Sequence, residues 1–199
     1  MATILVYAQT QELAYELIRA VHAIGDEVIA LAINDEALAV DLARRGVKVL
    51  AITGRDLAIA DITTIVWALK HAIDKTRAST IFLASNRFLN EVARRLSNIN
   101  DSKCLYNIDY LWSREEHIVC YRNSSLGSDI NVIDTIEIDK HGAILTLSPH
   151  IYPPVPECGG GSIEDIKLNL PPAQKLAGAK IYSIDNFLEM SIKLVAEGI

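Results

Sequence analysis

From Thr3 to Leu96 the chain alternates short, wholly apolar runs with longer segments whose apolar residues recur every three or four positions. The first kind is what a parallel strand shows when helices cover both of its faces; the second is the period of an amphipathic helix. Thr3–Ala8 reads as strand one. Leu13, Leu17, Val21 and Ile24, with Ala14 and Ile18 beside them, mark a helix that Gly25 stops. Glu27–Ile33 is apolar from Val28 onward and reads as a central strand. Asn34 is placed to cap the next helix, whose inward side carries Leu38 and Leu42. Asp35 and Glu36 complement its positive end, Arg44 and Arg45 its negative end, and Gly46 ends it. Val47–Ile52 is strand three, and Thr53–Asp56 a turn. Leu57–Ala60 suits either a helix start or a loop. Ile62, Ile65, Val66, Leu69 and Ile73 then set a helix that closes near Thr76. Ile81–Ala84 is strand four, Ser85 and Asn86 suit a helix N-cap, and Leu89, Val92, Ala93 and Leu96 face inward on helix four.

Strands separated by single helices imply right-handed crossovers and a parallel sheet. The fold class is therefore α/β: a Rossmann-like parallel sheet with helices on both faces, of the adenine nucleotide alpha hydrolase-like kind. From Lys103 the period changes. Cys104–Trp112, Glu116–Arg122, Ile130–Ile138 and Ala143–Leu147 are strand-like, and polar or glycine turns such as Asp139–Gly142 separate them. The expectation is an antiparallel extension of the parallel sheet. The stretch Tyr152–Gly161 holds three prolines and three glycines and reads as a flexible linker. The domain boundary is set at 152, with residues 153–199 as linker and tail. In that tail Ile163–Leu170 is extended, Ala179–Ser183 a short strand and Asn186–Glu197 a final helix.

Composition narrows the function. Half of the 199 residues are hydrophobic, 22% are charged and the formal net charge is -6. An acidic surface whose nearest basic group is Arg87, Arg94 and Arg95 argues against nucleic acid or an anionic membrane as partner. No apolar run reaches the roughly 18 residues of a membrane span, and the first apolar stretch lacks a cationic lead and runs straight into a helix pattern. The reading is a cytoplasmic protein without membrane insertion. Cys104, Cys120 and Cys158 are odd in number and share no metal or redox spacing, and the five histidines are scattered; reduced structural thiols and no metal are expected.

The candidate chemistry lies where strands one and four end. Open α/β sheets bind ligands in the crevice where strand order reverses. That crevice would be lined by Gln9, Thr10, Ser85, Asn86 and Arg87. Neither of its loops carries the glycines with which a backbone wraps a phosphate, which disfavours dinucleotide and P-loop readings. No nucleophile elbow, zinc-helix motif or Cys/His signature occurs, and Asp109, Asp129 and Asp134 cannot be paired as acid and base, so no catalytic residue is assigned. Arg122, Asn123 and Ser124 form a polar strand exit that suits a ligand, a partner chain or a plain turn.

Several phrases, in order, resemble the alpha subunit of the electron transfer flavoproteins. Glu36–Gly46 with Val47–Leu50 is similar to its second helix and third strand. Asn86–Leu96 resembles its fourth helix, which in the family opens on Gly-Arg. Asn107–Leu111 and Val119–Arg122 match its first antiparallel strands, and Leu145–Pro149 stands where its domain-closing strand would be. The resemblance implies residues 1–152 as the amino-terminal domain and residues 153–199 as linker plus a truncated remnant of the FAD-binding domain. It implies FAD as cofactor and an electron transfer flavoprotein beta-like subunit, or self-association, as partner. Two departures qualify this. Leu176–Ser183 and Asp185–Glu189 look like the strand and helix that flank the family's Gly-Arg-Gly turn, yet only Ile184 stands between them, so the FAD site is expected to be incomplete. The family's Arg-x-x-Tyr-x-Gly pattern has become Arg122–Gly127 with serine in place of the aromatic. The resulting expectation is a docking or scaffold subunit in flavin-based electron transfer, an electron carrier subunit rather than a catalyst. The alternative is a small nucleotide-binding or sensing domain of the universal stress protein type, taking AMP or another adenine nucleotide.

Overall fold

A computed structural model describes residues 3–24, 27–54, 57, 61–125 and 131–169. The short strand and last helix expected at 179–197, and the stop at Gly25, lie outside the described residues.

The alternation read from sequence is present. In order come β1 (Thr3–Tyr7), α1 (Gln11–His22), β2 (Glu27–Ile33), α2 (Glu36–Arg44), β3 (Lys48–Thr53), α3 (Ile62–Thr76), β4 (Thr80–Ala84) and α4 (Arg87–Asn100). Helix starts are fixed by side chains that accept orphan backbone N–H groups. Asp61 Oδ2 accepts from Thr64 N at 2.9 Å and Asn86 Oδ1 from Leu89 N at 2.7 Å. At α2 the cap is Asp35, which accepts from Leu38 N at 2.9 Å, and not Asn34. Asn34 sits at φ 49°, a conformation asparagine tolerates, and its carboxamide bridges the chain around Gly54 and Leu57.

After α4 follow β5 (Lys103–Ile108), β6 (Tyr110–Arg114), β7 (His117–Ser125), β8 (Asn131–Asp139), β9 (Ala143–Leu147) and β10 (Ser162–Lys167). The main sheet runs β10-β3-β2-β1-β4-β9-β5 and every pair in it is parallel. β6, β7 and β8 form a separate antiparallel sheet. The antiparallel strands expected from sequence are there, but they do not continue the parallel sheet. The expected strand Cys104–Trp112 is two strands: Asn107, at φ 56°, turns the chain, and Asp109 N already bonds to Tyr121 O of the small sheet. Ala143–Leu147 is not antiparallel either, for it inserts between β4 and β5 with all five residues buried. Five apolar or small residues without alternation are the mark of a strand covered on both faces.

Right-handed crossovers place α1 and α2 on one face and the touching pair α3 and α4 on the other. The core between them is one continuous cluster that includes Ile4, Leu5, Ile18, Leu31, Leu50, Ile65, Phe82 and Leu89. β4 is buried throughout. Its polar start, Thr80, is satisfied by donating to the Lys140 carbonyl.

The sheet also reaches past residue 152. Ser162–Lys167 pairs with β3 over six residues, and Gly159 and Gly161 donate to the carbonyls of Arg44 (2.7 Å) and Ala43 (3.2 Å) at the end of α2. The segment read as a flexible linker therefore caps a helix C-terminus. Its glycines serve geometry: Gly159 and Gly160 have φ of 69° and 86°, and a Cβ on Gly161 would stand 2.3 Å from Ala43 O.

Candidate functional site

β1 and β4 pair in register, Ile4 with Thr80 and Tyr7 with Leu83. Their carboxyl ends therefore finish level, and the turns after them meet at the point where strand order reverses. Gln9 and Asn86 face each other there, and Asn86 Nδ2 donates to Gln9 Oε1 at 3.1 Å. Asn86 thus caps α4 with its oxygen and ties the two loops with its nitrogen. Thr10 occupies the cap position of α1 without a side-chain cap bond and is exposed. Ser85 turns the other way. Its hydroxyl donates to Asn107 Oδ1, which also accepts from Asn90 Nδ2 at 3.3 Å, and Asn107 N donates to the buried Thr146 Oγ1 at 3.1 Å. The predicted crevice is accordingly crossed by hydrogen bonds, and the open space lies on the far side of the α4 N-terminus.

That space is a cleft of about 930 Å³ lined by Ile62, Arg87, Phe88, Asn90, Tyr106 and Asn107, with Glu91 and Arg94 on its rim. Arg87 is exposed. Glu91 is forked by Arg94 (2.7 and 2.8 Å) and Arg95 (2.8 Å), and these bonds hold its carboxyl down at about 2. Burial, followed by the bond to Cys104, pushes the Tyr106 hydroxyl up to about 12. Ile62, Phe88, Asn90, Tyr106 and Asn107 thus give the cleft apolar or neutral walls, and Arg87 and Arg94 are its cations. Of the residues expected in the crevice, Arg87 lines this cleft, whereas Gln9, Thr10, Ser85 and Asn86 do not; Phe88, Asn90, Tyr106 and Asn107 line it without having been expected there. Phe88 and Asn90 lie within α4. Asn107 needed knowledge of its left-handed backbone.

The second group of predicted residues lies on the small sheet. Arg122 Nη2 pairs with Asp134 Oδ2 at 2.8 Å, and its Nε is buried with no hydrogen-bond partner among the described residues. Asn123 N donates to Asp109 Oδ2 at 2.8 Å. Ser124 pairs through its backbone with Val132, and its side chain lies outside the described residues. Strand alternation sends Leu111, Ile118, Cys120 and Ile138 to the covered face of this sheet and Tyr110, Trp112, Tyr121, Asn123 and Ile133 to the outer one. Burial pushes the Cys120 thiol up to about 12, as suits an inert core thiol. On the outer face Tyr110, Trp112 and Ile133 are 55%, 53% and 65% exposed. A hollow of about 290 Å³ lies among Asp109, Tyr110, Tyr121, Arg122, Asn123 and Ile133.

Among the described residues no three His, Cys, Asp or Glu side chains gather as a metal site, and no helix is long and apolar enough to cross a membrane. The sequence matches no curated protein. A family model for the electron transfer flavoprotein domain matches residues 5–173, which begins within β1 and takes in all the other strands of the parallel sheet and all three strands of the small one. The chain belongs to the electron transfer flavoprotein domain family.

Proposed function

We propose that this chain is an alpha-subunit-like scaffold of flavin-based electron transfer, which docks an electron transfer flavoprotein beta-like subunit and holds no complete FAD site of its own. The observation that carries the reading is the outer face of the β6-β7-β8 sheet. Two aromatic side chains and an isoleucine stand more than half exposed there, beside Asn123. Aromatic residues concentrate in protein interfaces, and of the exposed apolar side chains here Tyr110 and Ile133 line one hollow. Three free cysteines accord with a cytoplasmic setting.

FAD is the cofactor the family implies. A pyrophosphate is held by converging backbone N–H groups, most easily where glycine lets the backbone approach. Within the described residues the turns after β1 and β4 carry no glycine, and the Leu89 N–H at the start of α4 is already taken by Asn86. The turn Ser183–Asp185, outside the described residues, has none in sequence either. The test is spectroscopic and hydrodynamic together: the purified chain is expected to lack flavin absorbance and to co-elute with a beta-like subunit. Stoichiometric flavin on the isolated chain, or elution apart from the subunit, overturns the proposal.

One observation favours a second reading, an adenine-nucleotide sensor: Arg87 lines the larger cleft together with the aromatic side chains of Phe88 and Tyr106. Thermal shift with AMP, ATP and FAD separates the two, since a nucleotide-binding domain gains stability as ligand exceeds its dissociation constant. No shift at millimolar nucleotide removes the second reading.

A further inference from the structure

The chain between β9 and β10 is fastened along its length, and at Val155 it meets the side chain of Arg45. His150 N donates to Glu16 Oε2 at 2.6 Å, and Val155 N to Tyr15 O at 3.4 Å. Arg45 lies over the Tyr15 ring, 3.4 Å from its centroid, and its Nε meets Asp41 Oδ2 at 3.3 Å. The same guanidinium donates through Nη1 to the Val155 carbonyl. The Tyr15 hydroxyl donates to Asp41 and accepts from Gln11, so both groups that orient Arg45 are themselves held. Beyond Val155 the backbone closes on α2: Cys158 N and Gly159 N share the Arg44 carbonyl at 3.2 and 2.7 Å.

Apolar burial contributes little to this segment. Of residues 149–169 only Val155 and Ile166 are buried hydrophobic side chains, whereas every residue of β4 and β9 is buried. A region with few buried apolar contacts opens at a lower free energy than the core it rests on. We propose that Arg45 is a latch, and that the strap of residues 149–161 together with β10 forms a unit that opens separately from the rest of the domain. When the latch releases, the strap leaves the end of α2, β10 leaves β3, and the outer edge of β3 is uncovered. The inference does not depend on the docking face, which lies on the small sheet.

The test is hydrogen exchange followed by mass spectrometry on the full chain and on Arg45→Ala and Arg45→Lys. Lysine keeps a charge for Asp41 but loses the planar stack and the fork. The expectation for Arg45→Ala is exchange at least tenfold faster in peptides covering Cys158–Lys167, with β1, β4 and β9 unchanged, and a smaller effect of the same distribution for Arg45→Lys. Acceleration spread evenly over the sheet would show that Arg45 supports global stability, and unchanged exchange in β10 would show that the strap is held without it. Either result overturns the proposal. So does failure of Arg45→Ala to fold while Arg45→Lys exchanges like the parent, because a latch is dispensable to the core.

Discussion

Asn86 does two things at once, and they can be separated. Its oxygen caps α4 and its nitrogen reaches Gln9. Asn86→Ala is expected to lower unfolding free energy by ~1 kcal/mol in denaturant titration, the usual loss for an N-cap. Asn86→Asp keeps the acceptor and should restore most of it. Glu91 offers a pH signature. Its carboxyl is held at about 2, below the ordinary 4.5, chiefly by its bonds to Arg94 and Arg95. A depressed carboxyl stabilises the fold above its ordinary pKa and loses that contribution as pH falls through the folded value. Stability should therefore decline between pH 4.5 and about 2 more steeply in the parent than in Glu91→Gln. Since the three side chains are largely solvent-facing, the difference should not exceed ~1 kcal/mol. Gly161 is a steric case: a Cβ would stand 2.3 Å from Ala43 O and 2.4 Å from Val47 O. Gly161→Ala should cost ~1–3 kcal/mol by thermal or chemical unfolding, as overpacking does.

The strands and helices from Thr3 to Leu96 were readable because their periods differ so sharply. Short apolar runs rich in Val and Ile, bounded by polar or glycine turns, match central strands, and i, i+3, i+4 recurrence matches helix faces. The reading failed after Lys103, where neighbouring strands in sequence belong to different sheets. Ala143–Leu147 had the composition of a central strand, but its place between β4 and β5 is a long-range fact. Nothing local distinguishes β5 from β6 except Asn107, whose left-handed backbone sequence does not announce. The same holds for β10. A proline and glycine run reads as linker because those residues disfavour regular structure, yet here the glycines let two backbones approach at the end of α2. The switch-point residues were found from topology alone; that Asn86 and Gln9 bridge their own crevice depends on side-chain directions that only coordinates supply.

The molecule as a whole presents two unlike surfaces. Around α4 the cleft is rimmed by arginines and one carboxylate on a chain whose net charge is -6. On the small sheet the outer face is aromatic and aliphatic, while Arg122 and Asp134 pair on the covered side. A stable interface takes on the order of 800 Å² from each partner and centres on a few buried aromatic or arginine side chains. Tyr110 and Trp112, two residues apart on β6, fit that role; neither belongs to the buried core cluster, and Tyr110 meets Tyr152 edge-on with ring centroids 6.3 Å apart. The central claim is that this face docks a beta-like subunit. Isothermal titration of that subunit with the parent chain and with a Tyr110→Ala, Trp112→Ala variant measures it directly. A one-to-one complex weakened at least 100-fold in the variant, which corresponds to about 2.7 kcal/mol, with unchanged circular dichroism and melting, is the predicted result. Equal affinity for parent and variant would contradict it.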